Sequence, residues 1–349
     1  MKFLVVGLGS AGQRHARVIR TKYPDAKIFT FRGNHKMGLI SEDTKTIQNN
    51  IDPVNHYSLI EIFGMENVPP DLDLAIISSP INLHLEHTNF VVEKVKKILV
   101  EKPLCYTESD LSEFIKLYQK SSSLIFIGYQ HEFNPIYKYI SEFLFKKSAE
   151  VQIDFAFFET LNSMNPFRDM KKHHLSNLGN GAAYISMSHE IERFLAWYPK
   201  LFGSIYVNCF CKPDVSNKNT ELQMEVCVAQ SSRSSSKDNN LTLNSMFSFN
   251  YPLHIRKGQI SSESECIKWD IFNKRVEINT DRLKLTKKFN YSADQLIKRQ
   301  LERILEIDRK LNEVDEKFNR SIEIVRILQY PQPSESSFPI LSEFLKKFD

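Results

Sequence analysis

Cysteine is scarce in this chain, and its placement suits neither of the uses that clustering would imply. Five occur in 349 residues, at Cys105, Cys209, Cys211, Cys227 and Cys266, with no C-x-x-C pair among them. An odd number at loose spacing argues against a disulfide framework and fits free thiols in a reducing cytoplasm. Cys209 and Cys211 alternate as packing residues on one strand face. No apolar run reaches the roughly 18 residues that a membrane span needs. The first residues read as a strand rather than a signal peptide, because no small-residue cleavage site follows them. There is no internal repeat. There is also no basic block with interleaved aromatics: net charge is only +4 and the Lys and Arg residues are scattered. Nucleic acid and membrane are therefore not expected partners, and the expected location is the cytoplasm.

What is present is enough apolar material for sizeable cores. Hydrophobic residues make up 42% of the chain, and the length suits two domains. The opening run Lys2-Phe3-Leu4-Val5-Val6 reads as a buried parallel strand. It leads directly into Gly7-Leu8-Gly9-Ser10-Ala11-Gly12, and Gln13 to Arg20 then reads as a helix. Strand, glycine turn and helix follow in the order that a dinucleotide pyrophosphate requires. Gly7 permits the tight turn, Gly9 lets backbone approach the phosphates, and Gly12 lets the helix pack on the strand. The helix N-terminus, beginning at Ser10 and Ala11, offers N–H groups and partial positive charge to the anion.

Strand-like and helix-like segments alternate over the first ~130 residues, which predicts a doubly wound parallel sheet. Strands are expected at Ala26–Phe31, Leu74–Ile77, Lys97–Val100 and Leu124–Ile127, and helices at Asn82–Lys96 and Glu108–Gln119. Residues 37–55 are polar and carry no clear period. Beyond Gly128 the pattern changes. Helices are expected at Asn134–Phe145, Ala182–Trp197, Ala293–Leu311 and Val314–Gln329. Strands are expected at Val151–Thr160, Ile205–Phe210, Leu222–Ala229, Leu241–Phe249, Glu265–Ile271 and Arg275–Ile278. The fold class is thus α/β, an N-terminal Rossmann sheet followed by an α+β domain on a large, open, mostly antiparallel sheet. Domain limits are expected at 1–128, 129–330 and a tail at 331–349 that ends in a short amphipathic segment. Residues 161–180 read as a functional loop and Ser231–Asn240 as a polar hairpin loop.

A second motif, Glu101-Lys102-Pro103, lies just past a buried strand. Ligands of open α/β sheets bind at the carboxyl ends of strands, so Lys102 is expected beside a bound coenzyme. Gly7 to Gly12 with Arg14-His15, Ser79-Pro80 with His84, Glu101-Lys102-Pro103, Gly128-Tyr129-Gln130 with Phe133-Asn134-Pro135, and Gly179-Asn180-Gly181-Ala182 leading to Ser188-His189-Glu190-Ile191 occur in this order. The series resembles the glucose-fructose oxidoreductase, inositol dehydrogenase and MocA family from Met1 to about Gln329.

The resemblance implies an NAD- or NADP-dependent oxidoreductase acting on a secondary hydroxyl of a sugar, cyclitol or nucleotide sugar, in surface-carbohydrate or related metabolism. It also implies self-association into a homo-oligomer through the C-terminal sheet. Lys102 would lie beside nicotinamide and substrate hydroxyl, where an ammonium stabilises developing alkoxide charge or relays the proton. His189 would be the second proton-handling group. Coenzyme contacts are expected from Gly7, Gly9, Ser10, Ala11, Gly12, Arg32, Ser79, Pro80, His84, Glu101, Lys102 and Gln130. Substrate contacts are expected from Lys102, His189, Arg168 and Lys171; the last two stand, with Lys172, in a basic segment suited to a phosphate or carboxylate.

The chain also departs from the family pattern. Ile185 occupies a place where many relatives carry an aspartate, one helical turn before His189. Three outcomes stay open: Lys102 with His189 suffices, Glu159 or Glu190 substitutes, or the protein is a non-catalytic dinucleotide- or sugar-binding regulator or scaffold. Glu132 stands where relatives often have arginine. At the end of the second strand no acid is present to hold a ribose 2′-OH, and Arg32 there points toward NADP, with NAD still open. The histidine pairs His173-His174 and His84/His87 lack the further ligands a zinc site needs, so no metal is expected.

Overall fold

The computed structural model describes residues 1–33, 36–144, 151–158, 181–197, 205–213, 219–229, 240–248, 254–262, 265–308, 312–329 and residue 346. The chain divides into two compact units. The first comprises Met1–Phe133 and Ser292–Gln329, and the second the described residues between 134 and 291.

The first unit is built on β1 (Lys2–Val6), α1 (Ser10–Lys22), β2 (Lys27–Phe31), a small hairpin of β3 (Leu39–Ile40) and β4 (Ile47–Gln48), α2 (Pro53–His56), β5 (Ile60–Glu61), β6 (Leu74–Ile77), α3 (His84–Val91), β7 (Lys97–Val100), α4 (Glu108–Lys120) and β8 (Leu124–Ile127). Its six-stranded sheet has the order β5-β2-β1-β6-β7-β8, and every pairing is parallel. Numbering only the strands of this sheet along the chain, the order is 3-2-1-4-5-6, that of a dinucleotide-binding Rossmann fold. The order reverses between β1 and β6, so a crevice is expected at their carboxyl ends.

Central strands buried on both faces need apolar residues at every position. Phe3, Leu4, Val5 and Val6 of β1 and Leu74 to Ile77 of β6 have no exposed surface. Phe3, Val5, Ile28, Leu74, Ile76, Leu99 and Phe126 share one core with Ala16, Val18 and Ile19 of α1.

Three sequence expectations are corrected in this unit. The helix expected over Asn82–Lys96 starts after a 3-10 turn at Ile81–Leu83 and stops at Val91, because the chain turns back to bridge Val95 to Leu72 and enter β7. The periodless stretch 37–55 contains the β3–β4 hairpin and α2, whose N-cap is Asp52. The helices Ala293–Glu306 and Asn312–Gln329, which sequence reading assigns to the second domain, belong to the first unit. Ile297, Leu301, Ile304 and Val314 join the α1 core, and Asp294 accepts two 2.8 Å hydrogen bonds from Arg17. The first of these helices also ends at Glu306 rather than Leu311, and its start is held by a Ser292/Gln295 capping box.

The second unit contains α5 (Pro135–Leu144), β9 (Val151–Phe158), α6 (Gly181–Trp197), β10 (Ile205–Pro213), β11 (Asn219–Ala229), β12 (Asn240–Ser248), β13 (Ile255–Ser261), β14 (Glu265–Asp270), β15 (Arg275–Thr280) and β16 (Lys284–Lys288). The sheet order is β10-β11-β12-β9-β13-β14-β15-β16. Only the β12–β9 pairing is parallel; the others are antiparallel. Two of these strands escape sequence reading. β13 carries Arg256, Lys257 and Gly258, and β16 reads Lys-Leu-Thr-Lys-Lys and is exposed throughout, as an edge strand protected by charge would be.

Candidate coenzyme and active site

The turn after β1 is shaped by close approach. Gly7 has φ +87°, a conformation glycine adopts without strain. A Cβ at Gly7 would lie 2.8 Å from Ser78 O and Ser79 N, and one at Gly12 would lie 1.8 Å from Gly7 O. No side chain can enter at either place without moving backbone. Gly7 N donates to Phe31 O at 2.7 Å, and the Ser78 hydroxyl lies 2.9 Å from both Val6 O and Gly7 O. This stitches the end of β1 to that of β6. Gly9 is the N-cap of α1 and is extended; no side chain caps the helix and no acid lies in its first turn. The orphan N–H groups of such a helix end, with its partial positive charge, suit a pyrophosphate. The residues therefore fit a dinucleotide: Gly9, Ser10 and Ala11 are partly open while Gly12 is buried. Gln13, which the motif reading passes over, is buried and fully used. Its amide donates to Leu8 O and Gly38 O and accepts from Ile40 N, so it ties the turn to the β3–β4 hairpin.

The loops after β6 and β7 are joined by histidine. His84, 2% exposed, stands 3.0 Å by Nε2 from Ser79 O and 3.2 Å by Nδ1 from Leu104 O. Burial pushes its pKa below the ordinary histidine value, against the opposing pull of the two carbonyls. A neutral imidazole donates to only one of them. His84 thus braces the Ser79-Pro80 loop against the loop holding Lys102. His87, to which the sequence reading gives no role, meets the Ser79 hydroxyl at 2.9 Å through Nδ1.

Glu101 follows β7 and accepts from His15 Nε2 on α1 at 2.7 Å. Burial raises this carboxyl's pKa, but the His15 hydrogen bond and charge, with Lys102 beside it, outweigh burial and hold it below the usual range. Gly128, at the end of β8, leaves room for it: a Cβ there would lie 3.0 Å from Glu101 Oε2. Lys102 is half-buried, and its peptide bond to Pro103 is cis. Gln130 lies in the 3-10 turn Gln130–Phe133, partly exposed. Glu132, which stands where a basic contact is common in relatives, pairs at 2.7 Å with Lys317 of the helix Asn312–Gln329, so its charge serves packing within the unit.

Arg32 is the largest departure from expectation. Sequence reading leaves it available to a 2′-phosphate or to adenine. Instead it is 8% exposed and clamped by two carboxylates. Its Nη1 and Nη2 donate to Asp52 at 2.8 and 2.9 Å, and its Nε and Nη2 donate to Glu61 at 2.6 and 3.0 Å. The hydrogen bonds that it donates, to Glu61 first and then to Asp52, raise its pKa.

In the second unit, His189 is 5% exposed on α6. Its neighbour Glu190, one of the acids weighed as a substitute for an aspartate, is paired with Arg256 of β13; the Nε–Oε1 distance is 3.1 Å and Nη2 reaches the same oxygen. Arg256 also stacks 5.3 Å above Phe157. Glu190 is thereby committed to a charge pair. Glu159, Arg168, Lys171 and the rest of segment 161–180 lie outside the described residues. So do residues 230–239, which hold most of the expected hairpin loop, and most of the tail. Among the described residues, no helix is long and apolar enough to cross a membrane.

The strand order, the glycine cradle at the switch point and the bare helix end define the class of the first unit: a Rossmann unit with the architecture of a dinucleotide-binding domain. Residues 1–129 match the model of the Gfo/Idh/MocA family, described as "Oxidoreductase family, NAD-binding Rossmann fold". A 1-carboxy-3-chloro-3,4-dihydroxycyclohexa-1,5-diene dehydrogenase from Comamonas testosteroni is 25% identical over 129 residues, which is 35% of this chain and 31% of that relative. The match thus spans about a third of the relative's length. Among solved structures, a UDP-N-acetylglucosamine 3-dehydrogenase from Acidithiobacillus ferrooxidans has a TM-score of 0.69 at 13% identity, covering 94% of this chain and 95% of the other. A biliverdin reductase from Synechocystis, solved with biliverdin and NADP+, has a TM-score of 0.69 at 13% identity over 94% and 98% of the two chains. A myo-inositol 2-dehydrogenase from Lactobacillus plantarum has a TM-score of 0.67 at 12% identity over 95% and 96%. At such identities these structures show a shared fold.

Proposed function

We propose that this protein is an NAD(P)-dependent oxidoreductase that moves a hydride between the nicotinamide and a secondary hydroxyl of a sugar or nucleotide sugar, in surface-carbohydrate or related metabolism. The observation that carries the reading is the cradle at the β1/β6 switch point, where Gly7 and Gly12 leave space, Ser78 joins the two strand ends and α1 begins without a cap. Two structural relatives are named as dehydrogenases of a nucleotide sugar and of a cyclitol, which supports a hydroxyl-bearing substrate. Self-association through the C-terminal sheet belongs to the same reading.

The bound coenzyme would supply the hydride acceptor or donor. The protein's part is to hold and to move a proton. The Gly9–Gly12 helix end grips the pyrophosphate through backbone N–H groups. Lys102, on a loop braced by the Glu101–His15 pair and by His84, stabilises negative charge on the substrate oxygen and relays its proton. His189 is the proposed partner in proton handling, and Arg168 and Lys171 are proposed to hold a phosphate or carboxylate on the substrate.

The replacement of a helical aspartate by Ile185 favours one other reading, a non-catalytic dinucleotide- or sugar-binding regulator. The two separate in a single assay. Purified protein is mixed with NAD+ or NADP+ and a panel of nucleotide sugars while reduced-nicotinamide absorbance is followed. Turnover with one sugar supports the oxidoreductase, and coenzyme binding without turnover supports the regulator. Lys102→Met is expected to lower turnover by about a hundredfold or more while leaving coenzyme affinity within a few fold. A Lys102→Met variant as active as the parent would remove that residue from the mechanism.

A further inference from the structure

The sheet geometry puts Arg32 where coenzyme selection takes place. It is the first residue after β2, twenty positions beyond Gly12, and in this fold that strand end meets the adenosine ribose. An acid there holds the 2′-hydroxyl of NAD, whereas an arginine free to turn outward takes the 2′-phosphate of NADP. Sequence alone shows only the arginine. In three dimensions two acids arrive from elsewhere: Glu61 on β5, which pairs with β2 through Thr30, and Asp52 at the N-cap of α2.

We propose that the Arg32–Asp52–Glu61 cluster selects the coenzyme with an unphosphorylated adenosine ribose, NAD(H), over NADP(H). This inference rests on the oxidoreductase reading above. A guanidinium has five N–H donors. Four hydrogen bonds to Asp52 and Glu61 occupy Nε, both protons of Nη2 and one of Nη1. One N–H is left, which cannot make the two parallel bonds of an arginine–phosphate fork. To present a fork to a phosphate, Arg32 would have to give up at least one of its two carboxylates, Asp52 on the Nη1/Nη2 side or Glu61 on the Nε/Nη2 side, and leave that charge unpaired beside the incoming anion. The cluster of three carries one net negative charge, and a 2′-phosphate brings up to two more. Lys36 is a further cation near Asp52, but it is exposed and its charge already acts on that carboxylate. Carboxylate oxygens, by contrast, accept hydrogen bonds from a ribose diol.

Binding separates this inference from the reading beneath it and needs no substrate. The full chain is titrated with NADH and with NADPH, following nicotinamide fluorescence and checking by calorimetry. NADH is expected to bind at least tenfold tighter. NADPH binding as tightly or more tightly overturns the inference but leaves the oxidoreductase reading standing; failure of both coenzymes to bind overturns both. Asp52→Asn with Glu61→Gln keeps the shape of both side chains, and Asn still caps α2. In that variant the preference for NADH is expected to shrink by tenfold or more, because Arg32 is released. An unchanged preference, in a variant whose melting temperature shows it folded, would also overturn the proposal. Should the double variant not fold, the comparison of the two coenzymes on the unaltered chain still decides.

Discussion

Lys97 and Lys102 stand at opposite ends of the same strand and meet opposite surroundings. Lys97 opens β7. It is 6% exposed, and its ammonium donates to Leu305 O at 2.6 Å and to Asp308 at 3.2 Å. Leu305 lies in the last turn of Ala293–Glu306, so the lysine answers a carbonyl left over at a helix C-terminus. Lys102 lies just beyond the other end of β7, half-buried, on the edge of the sheet where α1 begins. A parallel sheet with crossover helices gathers the amino ends of those helices at the carboxyl ends of its strands, and their carboxyl ends at the other edge. The same side chain is therefore tied into packing at one edge and stands, at the other, on the side where ligands of open α/β sheets bind. A cavity of about 600 Å³ does open at the amino edge, among Lys94, Lys97, Tyr118, Ser123 and Asp308. The helix Asn312–Gln329 starts beside it, but Glu313 and Asp315 already place acids in that first turn. Ser123 there is bonded to Val92 O and Val95 O.

The glycine cradle is where this contrast is most open to test. Gly12→Ala puts a methyl 1.8 Å from Gly7 O, so coenzyme affinity is expected to fall by about a hundredfold or more, read by NADH or NADPH titration. Unchanged affinity for both would detach the turn from coenzyme binding.

Lys97→Met tests the other edge. It leaves Leu305 O without its donor and is expected to reduce stability by about 1–3 kcal/mol in urea unfolding, with turnover unaltered. A loss of turnover at full stability would contradict the assignment of the two edges.

Glu101→Gln is expected to act through pH. The folded carboxyl titrates below its unfolded value of about 4.5. Its contribution to stability is therefore fully present above that value and fades as pH falls through the lower folded one. The variant should lose stability near neutrality and show a shallower decline below about pH 4.5. Equal acid limbs for variant and parent would mean that the His15 bond does not distinguish folded from unfolded.

Most of the first unit is legible along the chain because its signals are local. Continuous apolar runs mark β1, β6 and β7, and Gly7 and Gly12 mark a turn too crowded for any side chain. Ser292 with Gln295 likewise marks a helix start. The second sheet is only partly legible. β16 is exposed throughout and has no buried face to impose an alternating pattern, and β13 begins with charges that pair with groups far along the chain, as Arg256 does with Glu190. Glu101 and His15 are both visible as motif residues, but nothing in a linear reading joins positions 86 residues apart.

Local sequence was enough to specify the Rossmann pattern, the glycine turn after β1 and the place of the lysine beyond β7, since each depends on residues within one strand–turn–helix unit. It took the folded chain to show that the helices Ala293–Glu306 and Asn312–Gln329 complete the first unit, that His84 ties two loops together, and that Arg32 is already held by Asp52 and Glu61. Whether a charge is available depends on what folds against it, and those partners come from distant parts of the chain.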